Sequence, residues 1–228
     1  MLDFVLNFFV KFEKINLIDI IFPPVCGICG IVNSNWLCDK CEKRLEKYRK
    51  NKLLNMQLQD DTYFDDLFYC FEYKKLIRNL LLKYKFSDGA YLCNFFANIM
   101  IKDKKINEIL KKYDIIIPVP MDKTKRAKRG YNQTELITKI LSKNNIICEN
   151  ADCLIKIKQT KTQSTLSGEK RAQNVKNAFK LINVNWVKNK KIILFDDICT
   201  TGSTANEISK ILKEAGAENI LVLVIAKD

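Results

Sequence analysis

Between Lys191 and Thr204 the chain reads Lys-Ile-Ile-Leu-Phe-Asp-Asp-Ile-Cys-Thr-Thr-Gly-Ser-Thr, and few folds accommodate that order. Ile192 to Phe195 is an uninterrupted apolar run, the form of a parallel strand buried on both faces. Two adjacent carboxylates, Asp196 and Asp197, follow at its carboxyl end, and Thr200 to Thr204 are all small residues. Ala205 to Ala215 then carries apolar residues at helical spacing and stops at Gly216; a second apolar run, Ile220 to Ala226, completes a strand–loop–helix–strand unit. The expected fold class is therefore α/β, a parallel sheet flanked by helices. Small residues at a helix start leave backbone N–H groups accessible to an anion, and Thr and Ser hydroxyls add donors. The paired acids can accept from two neighbouring hydroxyls of a sugar. One site would thus hold a vicinal diol beside a phosphate, the chemistry of a ribose 5-phosphate. No Gly-x-x-x-x-Gly-Lys occurs, which excludes a Walker-type phosphate loop.

This order resembles the phosphoribosyl pyrophosphate (PRPP) fingerprint of type I phosphoribosyltransferases. The resemblance implies PRPP bound with Mg²⁺. Asp196 and Asp197 would take the ribose hydroxyls, and Cys199, Thr200, Thr201, Gly202, Ser203 and Thr204 would surround the 5-phosphate. The alternative is an ordinary strand-to-helix turn with an Asp N-cap, which leaves the coincidence of acid pair, hydroxyl loop and strand unexplained.

Composition narrows the chemistry. A chain of 228 residues has room for one sizeable domain and a small module, and 47% hydrophobic with 29% charged residues describes a globular protein. There is no histidine, which removes Ser-His and Cys-His hydrolases and histidine-ligated metal sites. The formal charge of +13 invites a polyanionic partner. Its basic residues are overwhelmingly Lys, however, and abundant Lys, Asn and Ile also arise from AT-rich coding. Met1 to Phe22 is apolar but interrupted by Asp3, Lys11, Glu13, Lys14 and Asp19, so it lacks both a membrane span and a secretory signal pattern. Phe4, Phe8, Phe9, Phe12 and Ile15 share one helical face, suited to docking on the protein's own core or, less simply, on a membrane. The expected compartment is the cytoplasm.

Cys26, Cys29, Cys38 and Cys41 form C-x₂-C-x₈-C-x₂-C. Each pair supplies one edge of a tetrahedron around Zn²⁺, with Gly27 and Gly30 permitting the tight backbone of a knuckle. Disulfides are the competing reading, and a cytosolic chain disfavours them. Such a module buries little apolar surface and would depend on its metal; it can touch nucleic acid or brace another domain, and spacing does not choose. Cys70, Cys93, Cys148, Cys153 and Cys199 are scattered and read as small core residues.

Elsewhere, Glu42 to Gln59 has a charged helical pattern and reads as a connector, Tyr63 to Phe71 as a strand or an extended lead-in, and the segments from Tyr73 to near Ser87-Asp88-Gly89 and from Tyr91 to Ile101 as helices. The division this suggests is residues 1–59, an N-terminal helix with the cysteine module and connector, and residues 60–228, the α/β domain. Asp114 to Ile117 is a short buried strand closed by Pro118-Val119-Pro120. Lys123, Lys125, Arg126, Lys128 and Arg129 follow, either a solvated helix start or a cradle for pyrophosphate or nucleic acid at a strand's carboxyl end. Lys156 to Arg171 is polar and basic, a solvated connection or a lid closing over the ligand.

Several stretches in one order resemble the ComF family of competence-associated, phosphoribosyltransferase-like proteins. They are Leu17-Ile-Asp-Ile-Ile-Phe-Pro-Pro-Val-Cys26-Gly-Ile-Cys29, Pro118-Val-Pro120, Arg129-Gly-Tyr-Asn-Gln133, Thr160-x₂-Gln163-x₂-Leu166 and Arg171-x₂-Asn174-Val175-x₂-Ala178-Phe179, besides the fingerprint. Tyr131 stands where the family usually has Phe, and Lys123 and Lys125 where it tends to have Arg, which keeps phosphate attraction but not a bidentate fork. The resemblance implies a type I phosphoribosyltransferase-like sheet, a structural Zn²⁺ and PRPP-Mg²⁺ as ligand or substrate. Val119, Pro120, Lys123 and Lys125 would face the pyrophosphate, with Lys161 or Arg171 covering it. It also implies work in natural transformation: single-stranded DNA, a DNA-translocating helicase and a recombination mediator as partners, and peripheral association with the inner-membrane uptake channel. Zinc knuckles and surface lysines would meet the DNA, with stacking from Trp36 or Tyr131. The alternative function is transfer of ribose 5-phosphate from PRPP to a nitrogenous acceptor.

Overall fold

The computed structural model describes residues 23–33, 35–56, 61–86, 89–144, 149–150, 153–160 and 168–228. The N-terminal amphipathic segment, Lys161 and Cys148 lie outside them. A six-stranded sheet is at the centre, in the order β1 (Arg49–Asn55), β2 (Asp66–Glu72), β8 (Asn219–Lys227), β7 (Lys191–Cys199), β3 (Ile115–Pro118), β4 (Glu149–Asn150). All neighbours run parallel except β1, which is antiparallel to β2. Beside this sheet β5 (Leu154–Lys156) and β6 (Phe179–Leu181) pair antiparallel as a separate small ribbon. The α/β class with a mainly parallel sheet is the one expected from β7 and β8.

Helices cover both faces. Side chains alternate across a strand, so β7 places Ile193 and Phe195 in one core and Ile192 and Leu194 in the other. The first core is closed by α2 (Lys75–Phe86), α3 (Leu92–Lys102), α4 (Lys104–Leu110) and α6 (Gln133–Lys143) through Ile77, Leu81, Phe95, Ile106 and Ile137. The second is closed by α8 (Ser203–Glu214) through Ala205, Ile208 and Leu212, with Val175 at the end of α7 (Gly168–Val175) and the β5–β6 ribbon packed on it. Burial on both faces is why β7 and β8 read as unbroken apolar runs rather than alternating ones.

Two expectations are corrected. The connector from Glu42 to Gln59 is not one helix: α1 (Asp39–Glu46) stops early and β1 follows, with Lys52 opposite Tyr69 and Leu54 opposite Leu67. Leu45 of α1 is buried in the main core as well. Arg49, Lys50 and Lys52 crowd the start of this edge strand and leave little apolar alternation, and that is why β1 looked helical. The division at residue 60 therefore falls between two hydrogen-bonded strands. The carboxylates also lie within β7, not after it, because pairing with β8 continues to Cys199 opposite Lys227.

The cysteine module sits on α3. A side chain added at Gly27 would meet the Phe95 ring at 2.6 Å, and the Asn98 amide donates to the Asn35 carbonyl over 2.9 Å. Ile28, Trp36 and Leu37 pack on the same core. Because Phe95 is fully buried, Gly27→Ala is expected to cost about 1–3 kcal/mol by overpacking, read as a lower urea midpoint at unchanged slope.

Candidate functional site

The site is built where β7 leaves the sheet. Gly202 has φ +76°, a left-handed turn that a side chain would strain, and it delivers the chain into α8. The Thr201 and Ser203 hydroxyls lie 2.8 Å apart beside it. Over this loop lies a shallow concavity with Asp196, Thr200, Gly202, Ser203 and Thr204 among its lining residues. An acid, hydroxyls and the positive end of a helix thus converge on one concavity.

The two carboxylates find their other partners on opposite sides of the sheet, while their side chains stay within hydrogen-bonding reach of each other. Asp196 lines the pocket. Burial, reinforced by the charge of Asp197, pushes its carboxyl up to about 7, although Lys85 pulls the other way. Asp197 turns to the far face, where it meets the Lys85 ammonium at 2.8 Å and the Gln133 amide at 2.9 Å. The chain thus brings only the first of its paired acids to the pocket.

Arg129-Gly-Tyr-Asn-Gln133 connects this second acid to the neighbouring loop. Arg129 donates to the Gln133 side-chain oxygen, and its guanidinium lies 5.5 Å over the Phe86 ring. Asn132 caps α6 and donates to the Val119 carbonyl at 3.2 Å; the Thr134 hydroxyl donates to the same carbonyl at 2.8 Å. Val119 in turn donates its N–H to Phe195 at 2.9 Å. The Pro118–Pro120 exit is therefore clamped against β7. Tyr131 stacks on Tyr84 with ring centroids 5.9 Å apart and donates its hydroxyl to the Tyr84 carbonyl, and Trp36 is half-buried. Both aromatics considered for base stacking are engaged with the core.

On the other side of the cleft, Asp122 caps α5 (Lys123–Arg129), accepting from the Lys125 N–H at 2.9 Å and the Thr124 hydroxyl at 2.6 Å. Burial opposes its charge, but those donors and the Lys125 and Lys156 charges hold its carboxyl below the usual range. Lys125 reaches the Thr160 carbonyl at 3.3 Å, and Lys156 of β5 donates to the Thr160 hydroxyl at 2.7 Å. Burial, and then Lys125, lowers the Lys156 amine, while the Asp122 and Asp196 charges support it. Two ammonium groups from different elements thus gather opposite the pocket. Lys123 is exposed at the start of α5, and Arg171 lies on α7.

Cys199 is buried, and burial together with the Asp196 charge pushes its thiol up to about 11, so it lines the pocket as an uncharged group. Lys85 and Lys156 escaped sequence reasoning: each is one lysine among many, and only tertiary contacts distinguish it. Gln133 belonged to a recognised motif, but its partner is 64 positions away.

In the N-terminal module all four thiol sulfurs lie within 4.8 Å of one another, and those of Cys29 and Cys38 are 3.8 Å apart. Tetrahedral ligation at about 2.3 Å requires sulfur separations of about 3.8 Å. The cluster can therefore hold a metal ion. Burial works against the Cys26 thiolate, but the N–H groups of Cys29, Cys38 and Ile28 outweigh it and lower its pKa, as a ligand requires. Cys41 is raised by burial and by the three neighbouring cysteines. Among the described residues Cys70 and Cys153 are buried, Cys93 is half-buried, and no helix is long and apolar enough to cross a membrane.

No protein-family model matches the chain. Solved structures with partial overlap include a glutamine PRPP amidotransferase from B. subtilis, 19% identical with a TM-score of 0.40 over 63% of this chain and 30% of that one. Another is a hypoxanthine phosphoribosyltransferase from Staphylococcus aureus, 15% identical with a TM-score of 0.34 over 60% and 65%. Sequence relatives are far nearer. Competence protein ComFC of Streptococcus pneumoniae is 27% identical over 81% of this chain and 84% of its own length. The DNA utilization protein YhgH of Escherichia coli (strain K12) is 25% identical over 89% and 90%. Competence protein F of Haemophilus influenzae is 31% identical across 211 residues, 86% of this chain and 92% of its own. Similarity of that depth over nearly the full length of both chains makes this protein a member of the competence protein F (ComF) family.

Proposed function

We propose that this competence-family protein binds PRPP-Mg²⁺ in the pocket at the end of β7 and single-stranded DNA on its lysine-rich surface, serving DNA handling in the cytoplasm during natural transformation. The observation that carries the ligand assignment is the convergence of Asp196, the hydroxyl loop and the first turn of α8 on one pocket. Asp196 would accept from the ribose hydroxyls, Thr200 to Thr204 would hold the 5-phosphate, and Lys125 and Lys156 would face the pyrophosphate. Lys161 and Arg171 remain candidates for covering it. Mg²⁺ would supply charge neutralisation for the pyrophosphate. The four cysteines would hold structural Zn²⁺, and a DNA-translocating helicase, a recombination mediator and the uptake channel are the proposed partners.

Thermal unfolding with PRPP and Mg²⁺ tests the site. At a hundredfold excess over Kd the ligand should stabilise the wild type by about 2.7 kcal/mol. Asp196→Asn should abolish that response. The same variant should raise Tm at pH 8 without ligand. A carboxyl whose folded pKa stands near 7, above its value of 3.8 elsewhere, costs stability increasingly as pH rises between those values, and Asn removes the cost. Each kcal/mol so relieved is worth about 2–4 °C. A ligand response surviving in Asp196→Asn would remove the assignment. Pyrophosphate release on adding a nitrogenous base would favour the transferase alternative.

A further inference from the structure

We infer that Lys85 and Gln133 are positioning residues: they anchor Asp197 toward the far face of β7, so that Asp196 alone meets the sugar and its charge state answers to the Lys85–Asp197 pair. The inference deepens the PRPP reading given above and rests on it for the identity of the sugar, but not for the coupling between the acids.

Geometry carries it. The Asp197 side chain is only 6% exposed, and its Oδ2 receives both the Lys85 ammonium and the Gln133 amide. Gln133 is itself oriented by Arg129, and its carbonyl accepts from the Tyr84 hydroxyl at 2.7 Å. Among the described residues the supports of Asp197 therefore come from α2, α6 and the C-terminal end of α5, whereas the pocket is lined from β7, β8 and the start of α8. An amide donor at 2.9 Å suits a carboxylate and fixes its plane, while the ammonium offsets its buried charge. Asp197 N–H donates to Asp196 Oδ1 at 2.8 Å, so a displaced Asp197 would also shift Asp196.

The groups that bear on Asp196 are Asp197 and Cys199 on its own strand, Lys85 from α2 and Lys156 from β5. Those around Asp197 are Lys85, Arg129 and Tyr84, with Tyr131 bearing on the last two. Ionised, Asp196 can accept from two sugar hydroxyls; protonated, it loses an acceptor and gains a donor. The Lys85–Asp197 pair thus sets the pH at which the sugar is gripped.

The test follows the Asp196 carboxyl carbon by NMR in the full-length ligand-free protein labelled at aspartate, with Asp196→Asn assigning the signal. Lys85→Met removes the opposing cation and is expected to move the Asp196 midpoint up by about one unit or more, whereas Asp197→Asn removes the anion and should move it down comparably. Lys85→Arg should leave it nearly in place. Should Lys85→Met not fold, the isosteric Asp197→Asn decides alone. In the binding arm, Asp197→Asn should retain stabilisation by PRPP-Mg²⁺, with its acid limb displaced to lower pH. An Asp196 midpoint unmoved in Asp197→Asn overturns the inference, as does loss of the ligand response in that variant. A wild type that ignores PRPP at every pH sinks the functional proposal instead, while the titration still judges the coupling.

Discussion

Removal of metal from the Cys26–Cys29–Cys38–Cys41 cluster is expected to lower the melting temperature by more than about 10 °C and to release one zinc ion per chain. Structural zinc contributes about 10–16 kcal/mol of apparent binding energy in small peptides, comparable to the entire stability of a domain. Here the module is short of apolar contacts of its own but contributes Ile28, Trp36 and Leu37 to the core shared with α3. Its loss would leave Phe95 and Leu92 without the Gly27 backbone against them. Cys41→Ser should reproduce the effect, since Cys41 is one of the four clustered thiols and a buried residue in the first turn of α1. Chelator-treated protein that still melts within about 2 °C of the untreated form would mean the thiols are only packed together.

The second large effect concerns salt. With a formal charge of +13 and no buried residue in α5, the protein is expected to bind single-stranded DNA chiefly through phosphates. If about 6–10 phosphates are neutralised, affinity should fall roughly 10³- to 10⁵-fold between 50 and 200 mM salt. Lys123→Glu, Lys125→Glu and Lys128→Glu together should weaken binding further and flatten the slope. Lys123 and Lys128 are exposed, whereas Lys125 already reaches the Thr160 carbonyl, so the first two should carry most of the loss. Fluorescence anisotropy on a labelled oligonucleotide reads both. Binding indifferent to salt, or absent, would dissociate the lysine surface from DNA.

Sequence legibility followed the range of the interactions involved. β7, the loop and α8 were readable because a strand buried on both faces, a small-residue turn and an amphipathic helix are each local in origin. The cysteine quartet was readable because ligand spacing is a covalent constraint. By contrast, β1 was read as helix, since an edge strand with Arg49, Lys50 and Lys52 at its start has little apolar alternation to display. The opposed orientations of Asp196 and Asp197 follow from one fact the motif hides: β7 remains paired with β8 through both acids. Lys85 was beyond reach, because its meaning lies in a contact with a residue more than a hundred positions away. Arg129 was read with the basic residues before it as a solvated helix start or ligand cradle, and Gly130 to Gln133 only as a lead into a helix, whereas Arg129, Tyr131, Asn132 and Gln133 all bond inward.

The placement of β1 has a further bearing on the life of the molecule. It shields the outer margin of β2, and the basic side chains along it discourage a second chain from adding there. Since β1 follows directly on α1, whose first turn contains Cys41, metal loss would loosen that shield and bare a hydrophobic rim. If the four cysteines hold a metal ion, protein stripped of it should self-associate into sheet-like assemblies, seen as a larger species in size-exclusion chromatography.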